Sequence, residues 1–76
     1  MNYEELIKFI VKDLVDDEFE VVSKDSNISI LVSEADYGRV IGKSGKTINA
    51  IRTLIDEASS LHKDKYVRIE VEKKEN

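Results

Sequence analysis

The sequence predicts an α+β domain: three helices covering one face of a three-stranded sheet, in the order α-β-β-α-α-β. Three observations predict it. Near the N-terminus, apolar residues recur at steps of three and four. Two separate stretches alternate apolar and polar residues with period two. Between them lies a helical pattern interrupted by glycines. Seventy-six residues suit one domain of this kind, residues 1–76, with no room for a second core.

Each element follows from its residues. Tyr3, Leu6, Ile7, Ile10, Val11 and Leu14 form one apolar stripe, which predicts a helix from residue 3 to about 16, broken by Asp16-Asp17-Glu18. Residues 19–24 are β-branched and aromatic enough for a strand, and Asp25-Ser26-Asn27 is a turn cluster. Ile28, Ile30 and Val32 then alternate with Ser29, Leu31 and Ser33, a half-buried strand that pairs with the preceding one as a hairpin. Ser33, with Asp36 three residues on, reads as a helix cap, so a short helix is expected over Glu34–Ile41. After Gly42-Lys43-Ser44-Gly45 a longer helix runs to about Leu61, with Ile48, Ile51, Leu54, Ile55, Ala58 and Leu61 on its expected buried face. A last strand over 66–71 places Val67, Ile69 and Val71 inward and Arg68, Glu70 and Glu72 outward. Residues 73–76 are expected to fray. The polar alternates imply that the second face of the sheet is wet.

Composition excludes several functions. There is no Cys and one His, so thiolate and multi-histidine metal sites are ruled out, and no metal or cofactor is expected. The acidic start, Met1-Asn2-Tyr3-Glu4-Glu5, is unlike a secretory leader, and no apolar run approaches the roughly 20 residues of a membrane span, so a cytoplasmic protein without membrane contact is the expectation. Net charge is −4, which read as an average disfavours nucleic acid. The average hides a gradient. Residues 1–20 carry seven acids and two bases, whereas residues 37–55 carry Arg39, Lys43, Lys46 and Arg52 and no acid, and hold all three glycines. Local charge decides where a polyanion docks.

The informative stretch is Val40-Ile41-Gly42-Lys43-Ser44-Gly45-Lys46-Thr47-Ile48-Asn49-Ala50-Ile51. Glycines at both ends of a four-residue loop allow a sharp turn and close approach of another backbone. The following helix starts there, so its unpaired amides and positive dipole end face the loop, and Lys43 and Lys46 add full charges. A phosphodiester backbone suits such a site.

These residues resemble the core motif of the KH domain, a single-stranded nucleic-acid-binding module whose GXXG loop clamps the backbone of about four nucleotides. Both glycines, the flanking Val40-Ile41 and the spaced Ile48 and Ile51 fit it. A helix and strand before the motif and one strand after it resemble the type II, prokaryotic KH fold, and the whole chain is similar to the small bacterial KhpA-type RNA-binding proteins. The resemblance implies a cytoplasmic bacterial RNA-binding protein, an RNA chaperone or post-transcriptional regulator, that pairs with itself or with a larger KhpB (Jag) type partner. It also implies that aliphatic residues near the loop floor a groove for bases, with the last strand as its far wall. No residue identifies a 2′-hydroxyl contact, so single-stranded DNA stays open beside RNA.

On this reading Gly42 and Gly45 shape the clamp, Lys43 pairs with phosphate and Ser44 donates a hydrogen bond to it. Lys46, Arg39 and Arg52 either contact RNA or are solvated surface charges. Val40, Ile41 and Ile48 fill the core and floor the groove, with Ile51, Leu54 and Ile55 in the core. Tyr37, beside the motif, is read as a capping aromatic rather than a stacking one, and Tyr3, Phe9, Phe19 and Tyr66 as packing residues. An enzyme reading fails on spacing. A P-loop needs Gly, four residues, then Gly-Lys-Ser/Thr, and the first glycine position is occupied by Tyr37 or Val40. The competing reading is a protein-interaction module acting mainly through homo- or hetero-dimerisation, with weak intrinsic RNA binding.

Overall fold

The structure, a computed structural model, describes residues 2–74. Helix α1 spans Tyr3–Val11, strands β1 and β2 span Glu20–Lys24 and Asn27–Val32, helix α2 spans Glu34–Ile41, a single 3-10 turn covers Lys43–Gly45, helix α3 spans Lys46–Leu61, and strand β3 spans Arg68–Lys73. The sheet order is β1-β2-β3. The hairpin pairs antiparallel, with Val21 opposite Ile30. β3 pairs parallel to β2, with Ile28 opposite Ile69. The segment from α2 to α3 is therefore the crossover between two parallel strands, and the helices pack on one face, as the type II KH resemblance implied.

The buried hydrophobic residues are all Ile or Val: Ile7 and Val11 of α1, five strand residues, Val40 of α2, and Ile48, Ile51 and Ile55 of α3. Branching at Cβ suits the strands and stiffens each side chain, so a small core keeps defined rotamers. Ser33 caps α2 as its spacing predicts, its Oγ accepting from the Asp36 N–H at 3.2 Å.

The structure departs from the sequence reading in four places. Helix α1 stops at Val11, five residues early. The Leu14 N–H closes a tight turn onto the Val11 carbonyl at 2.8 Å, and the Asp16 and Asp17 amides are drawn to the Asp36 carboxylate on α2. In α3 the buried stripe is Ile48, Ile51, Ile55 and Ser59. Leu54, turned about 100° from its neighbour Ile55, is 52% exposed, and Leu61 is 83% exposed. Phe9 and Tyr66 are also mostly exposed rather than packed. Finally, β3 runs through Lys73, and the Lys74 N–H donates to the Val32 carbonyl at 2.7 Å, so pairing with β2 holds two residues of the expected tail. Residues 75–76 lie outside the described residues.

Candidate nucleic-acid interface

Helix α2 ends because Gly42 leaves helical space, at φ 78° and ψ 171°, while its N–H still reaches the Gly38 carbonyl at 2.8 Å. The Gly45 N–H then closes the 3-10 turn on the Gly42 carbonyl at 3.1 Å. Ser44 (φ 56°) and Gly45 (φ 76°) are left-handed, so three of the four loop residues have positive φ. That run tightens the turn and leaves Lys43 and Ser44 exposed at its tip. A Cβ on Gly42 would lie 2.3 Å from the Thr47 Oγ1 and 2.8 Å from the Thr47 nitrogen. The first glycine thus lets the loop fold back against the start of α3.

That start has no side-chain cap. Asn2 caps α1 and Ser33 caps α2 through side-chain oxygens, whereas Gly45 offers α3 no side chain. Lys46 is exposed in this first turn, and among the described residues neither Lys43 nor Lys46 has a carboxylate within ion-pair distance. A positive helix end and two free ammonium groups converge on one loop.

The other expected site residues separate. Val40 and Ile48 are shut in the core, so of the three expected floor residues only Ile41 keeps surface. Arg39 is engaged with carboxylates: it pairs with Asp16 and reaches Asp36 at 3.4 Å. The Asp16 hydrogen bond, with its negative charge, raises the Arg39 pKa further. Arg52 lies on the α3 face toward β3. Its Nε and Nη2 donate to the Ile69 carbonyl at 3.3 and 3.1 Å, and its Nη1 donates to Asn49 Oδ1 at 3.4 Å. Asn49 is the residue that sequence reasoning passed over. Its Nδ2 lies 3.6 Å from where a Gly45 Cβ would be, and its Oδ1 accepts from Arg52, so it stands between the loop and Arg52 on α3. The spacing Gly45, Asn49, Arg52, one helix face at steps of four and three, is the signal that could have found it. Tyr37 packs against the core with the Lys73 ammonium 5.1 Å from its ring centre, which covers its face.

Comparison with known proteins decides the family. The family described as KhpA/KhpB, KH domain matches residues 4–71. The chain belongs to the KhpA/KhpB KH-domain family. The matched span includes the Gly42–Gly45 loop. Similar proteins include the RNA-binding protein KhpA of Listeria monocytogenes, 45% identical over 90% of this chain and 96% of the relative. KhpA of Borreliella burgdorferi is 40% identical over 92% of both chains, and KhpA of Chlamydia trachomatis is 40% identical over 74% of this chain and 80% of the relative. No solved structure matches the chain. KH domains bind RNA rather than catalyse a reaction, and among the described residues no group of three His, Cys, Asp or Glu could hold a metal ion. No described helix is long and apolar enough to cross a membrane.

Proposed function

We propose that this chain is a cytoplasmic single-stranded RNA-binding protein that clamps the nucleic-acid backbone at Gly42–Gly45, serving as an RNA chaperone or post-transcriptional regulator. The observation that carries it is the loop: three positive-φ residues turn Lys43 and Ser44 outward beside an uncapped helix start, in a chain of the KH family. Lys43 and Lys46 hold phosphates by charge beside the positive end of α3, Ser44 donates a hydrogen bond, and Gly42 and Gly45 let the backbone approach. Ile41 offers the apolar surface under the bases, Val40, Ile48 and Ile51 anchor the two helices, and Arg52 positions β3 against α3. Arg39 contributes least, because its charge is already matched by Asp16 and Asp36. The relatives carrying the name RNA-binding protein KhpA support the reading.

Fluorescence anisotropy with short single-stranded RNAs tests it, with the DNA equivalents run in parallel. Replacing Lys43 and Ser44 together by Asp puts two negative charges where one positive charge stood. Aspartate tolerates the left-handed conformation at position 44, so the fold should survive, as circular dichroism would verify. The expected result is at least a tenfold loss of affinity; unchanged binding by the folded variant removes the loop as the clamp.

A second reading has its own observation. Leu54 and Leu61 lie exposed on one side of α3, an apolar surface suited to another copy of the chain or to a KhpB/Jag-type protein. Sedimentation of wild type and Leu54→Glu separates the two. A monomeric variant that still binds RNA makes RNA binding intrinsic, whereas joint loss makes it a product of pairing.

A further inference from the structure

Resting on that RNA-binding reading, we propose that Tyr66 is a base-stacking platform, receiving a nucleotide of the strand beyond the segment clamped at the loop. The other four aromatic residues are each accounted for. Tyr3 donates its hydroxyl to Asp64, and Phe19 packs against the core. Phe9 lies under the Lys12 ammonium at 4.6 Å, and Tyr37 lies under that of Lys73. Tyr66 is 68% exposed, stands outside the core, and among the described residues has no cation over its ring. A large ring left in water immediately before β3 gains from being covered by another planar surface.

Its surroundings say what would cover it. Tyr66 lines an open concavity of about 400 Å³ with Arg52, Arg68, Ile69 and Glu70. Arg68 is neutralised by Glu70 at 3.1 Å, but among the described residues Arg52 pairs with no carboxylate. The floor includes the free edge of β3. The Arg68 N–H donates inward to Ser26 and the Lys74 N–H to Val32, so the alternate residues Ile69 and Val71 turn their backbone groups outward. One of these, the Ile69 carbonyl, is held by Arg52. The concavity lies on the same face of α3 as the loop, with Gly45, Asn49 and Arg52 spaced at steps of four and three and Arg52 bonded to Asn49 and to Ile69. A ring beside outward backbone groups suits a nucleobase: the ring takes its face and the edge groups that remain open take its hydrogen-bonding rim, while Arg52 holds the edge in place through the Ile69 carbonyl.

Stacking of one base on an aromatic side chain is worth about 1–3 kcal/mol, or roughly 5- to 150-fold in affinity. Anisotropy is measured for wild type, Tyr66→Ala, Tyr66→Phe and the Lys43/Ser44 double-aspartate variant, with RNAs of four and eight nucleotides and with eight-nucleotide RNAs carrying one abasic position. Tyr66→Ala should weaken the eight-nucleotide RNA by that factor and leave the four-nucleotide RNA within about twofold. Tyr66→Phe should bind like wild type. One abasic position should abolish the difference between Tyr66→Ala and wild type, because the stacked base is already gone. Equal affinity of Tyr66→Ala and wild type for the longer RNA, while the loop variant fails to bind, overturns the platform and leaves the clamp. A loss in Tyr66→Ala while the loop variant binds normally removes the clamp and supports the platform. A loss independent of RNA length and of abasic position reports a general structural effect and also overturns the stacking assignment.

Discussion

At the scale of single residues, the two loop glycines are required for different reasons. Gly42 combines φ 78° with ψ 171°, a region closed to side chains, and its missing Cβ points into Thr47. Gly45 sits in ordinary left-handed space, with Asn49 Nδ2 3.6 Å from the Cβ position. Gly42→Ala should therefore cost about 3 kcal/mol, strain and overlap together, whereas Gly45→Asn should cost no more than about 1 kcal/mol. Urea denaturation of the two variants measures the difference. Equal costs would show that the loop relaxes around Thr47. The motif was legible in the sequence because it is local. The inequality of its glycines was not, because it depends on where Thr47 stands once α3 has formed.

Among the elements, α3 ends in a cap that sequence would not suggest. The Lys63 N–H bonds the Ser60 carbonyl and the Asp64 N–H bonds the Ser59 carbonyl, both the reverse hydrogen bonds of a Schellman motif. The left-handed residue there is Lys63, at φ 56°, where glycine is the usual occupant. Lys63→Gly should stabilise the fold by about 0.5–1 kcal/mol and raise the thermal midpoint by a few degrees, read by calorimetry. An unchanged or lower midpoint would mean that the Lys63 side chain contributes to stability. Elements whose ends are set locally were legible: α2 begins at its Ser33 cap and ends at Gly42, as read. Ends set at a distance were not. Beyond the end of α1, the amides of residues 16 and 17 meet a carboxylate 20 and 19 residues away on α2. The exposure of Leu54 and Leu61 likewise reflects how narrow a strip of α3 the sheet covers, which periodicity cannot show.

For the molecule as a whole, that same carboxylate is a tie between halves of the chain. Asp36 is only 1% exposed, and it accepts from the Asp17 amide at 2.9 Å, the Asp16 amide and the Ser33 hydroxyl at 3.2 Å, with the Arg39 guanidinium at 3.4 Å. The Asp17 hydrogen bond above all, aided by the other donors and the Arg39 charge, holds its pKa below the usual 3.8. A depressed folded pKa gives stability that is present above pH 3.8 and lost as the pH falls through the lower folded value. Wild type should thus lose stability on acidification below about pH 4. Asp36→Asn should start less stable at pH 7 and lose less over that range, as urea melts at stepped pH would show. Parallel curves would assign the acid sensitivity to other carboxylates. Charge at this scale also governs binding. With Lys43 and Lys46 the free cations at the loop and a net charge of −4, about two phosphates are neutralised. The logarithm of RNA affinity should then fall with that of salt at a slope near −1.4, taking about −0.7 for each phosphate contact. A much steeper slope would reveal a larger basic surface.

The parallel pairing of β2 with β3 has a consequence for the order of assembly. The β1–β2 hairpin closes across a two-residue connection and forms from neighbours in sequence. β3 finds its place only after the chain has wound through α2, the loop and α3, so the sheet is completed by its most distant pairing. The candidate interface is built on that same crossover and on the edge of β3. The interface is therefore complete only when β3 has docked on β2. A ligand that spans the loop and β3 binds the finished molecule and not the unfolded chain, and so stabilises the fold by mass action.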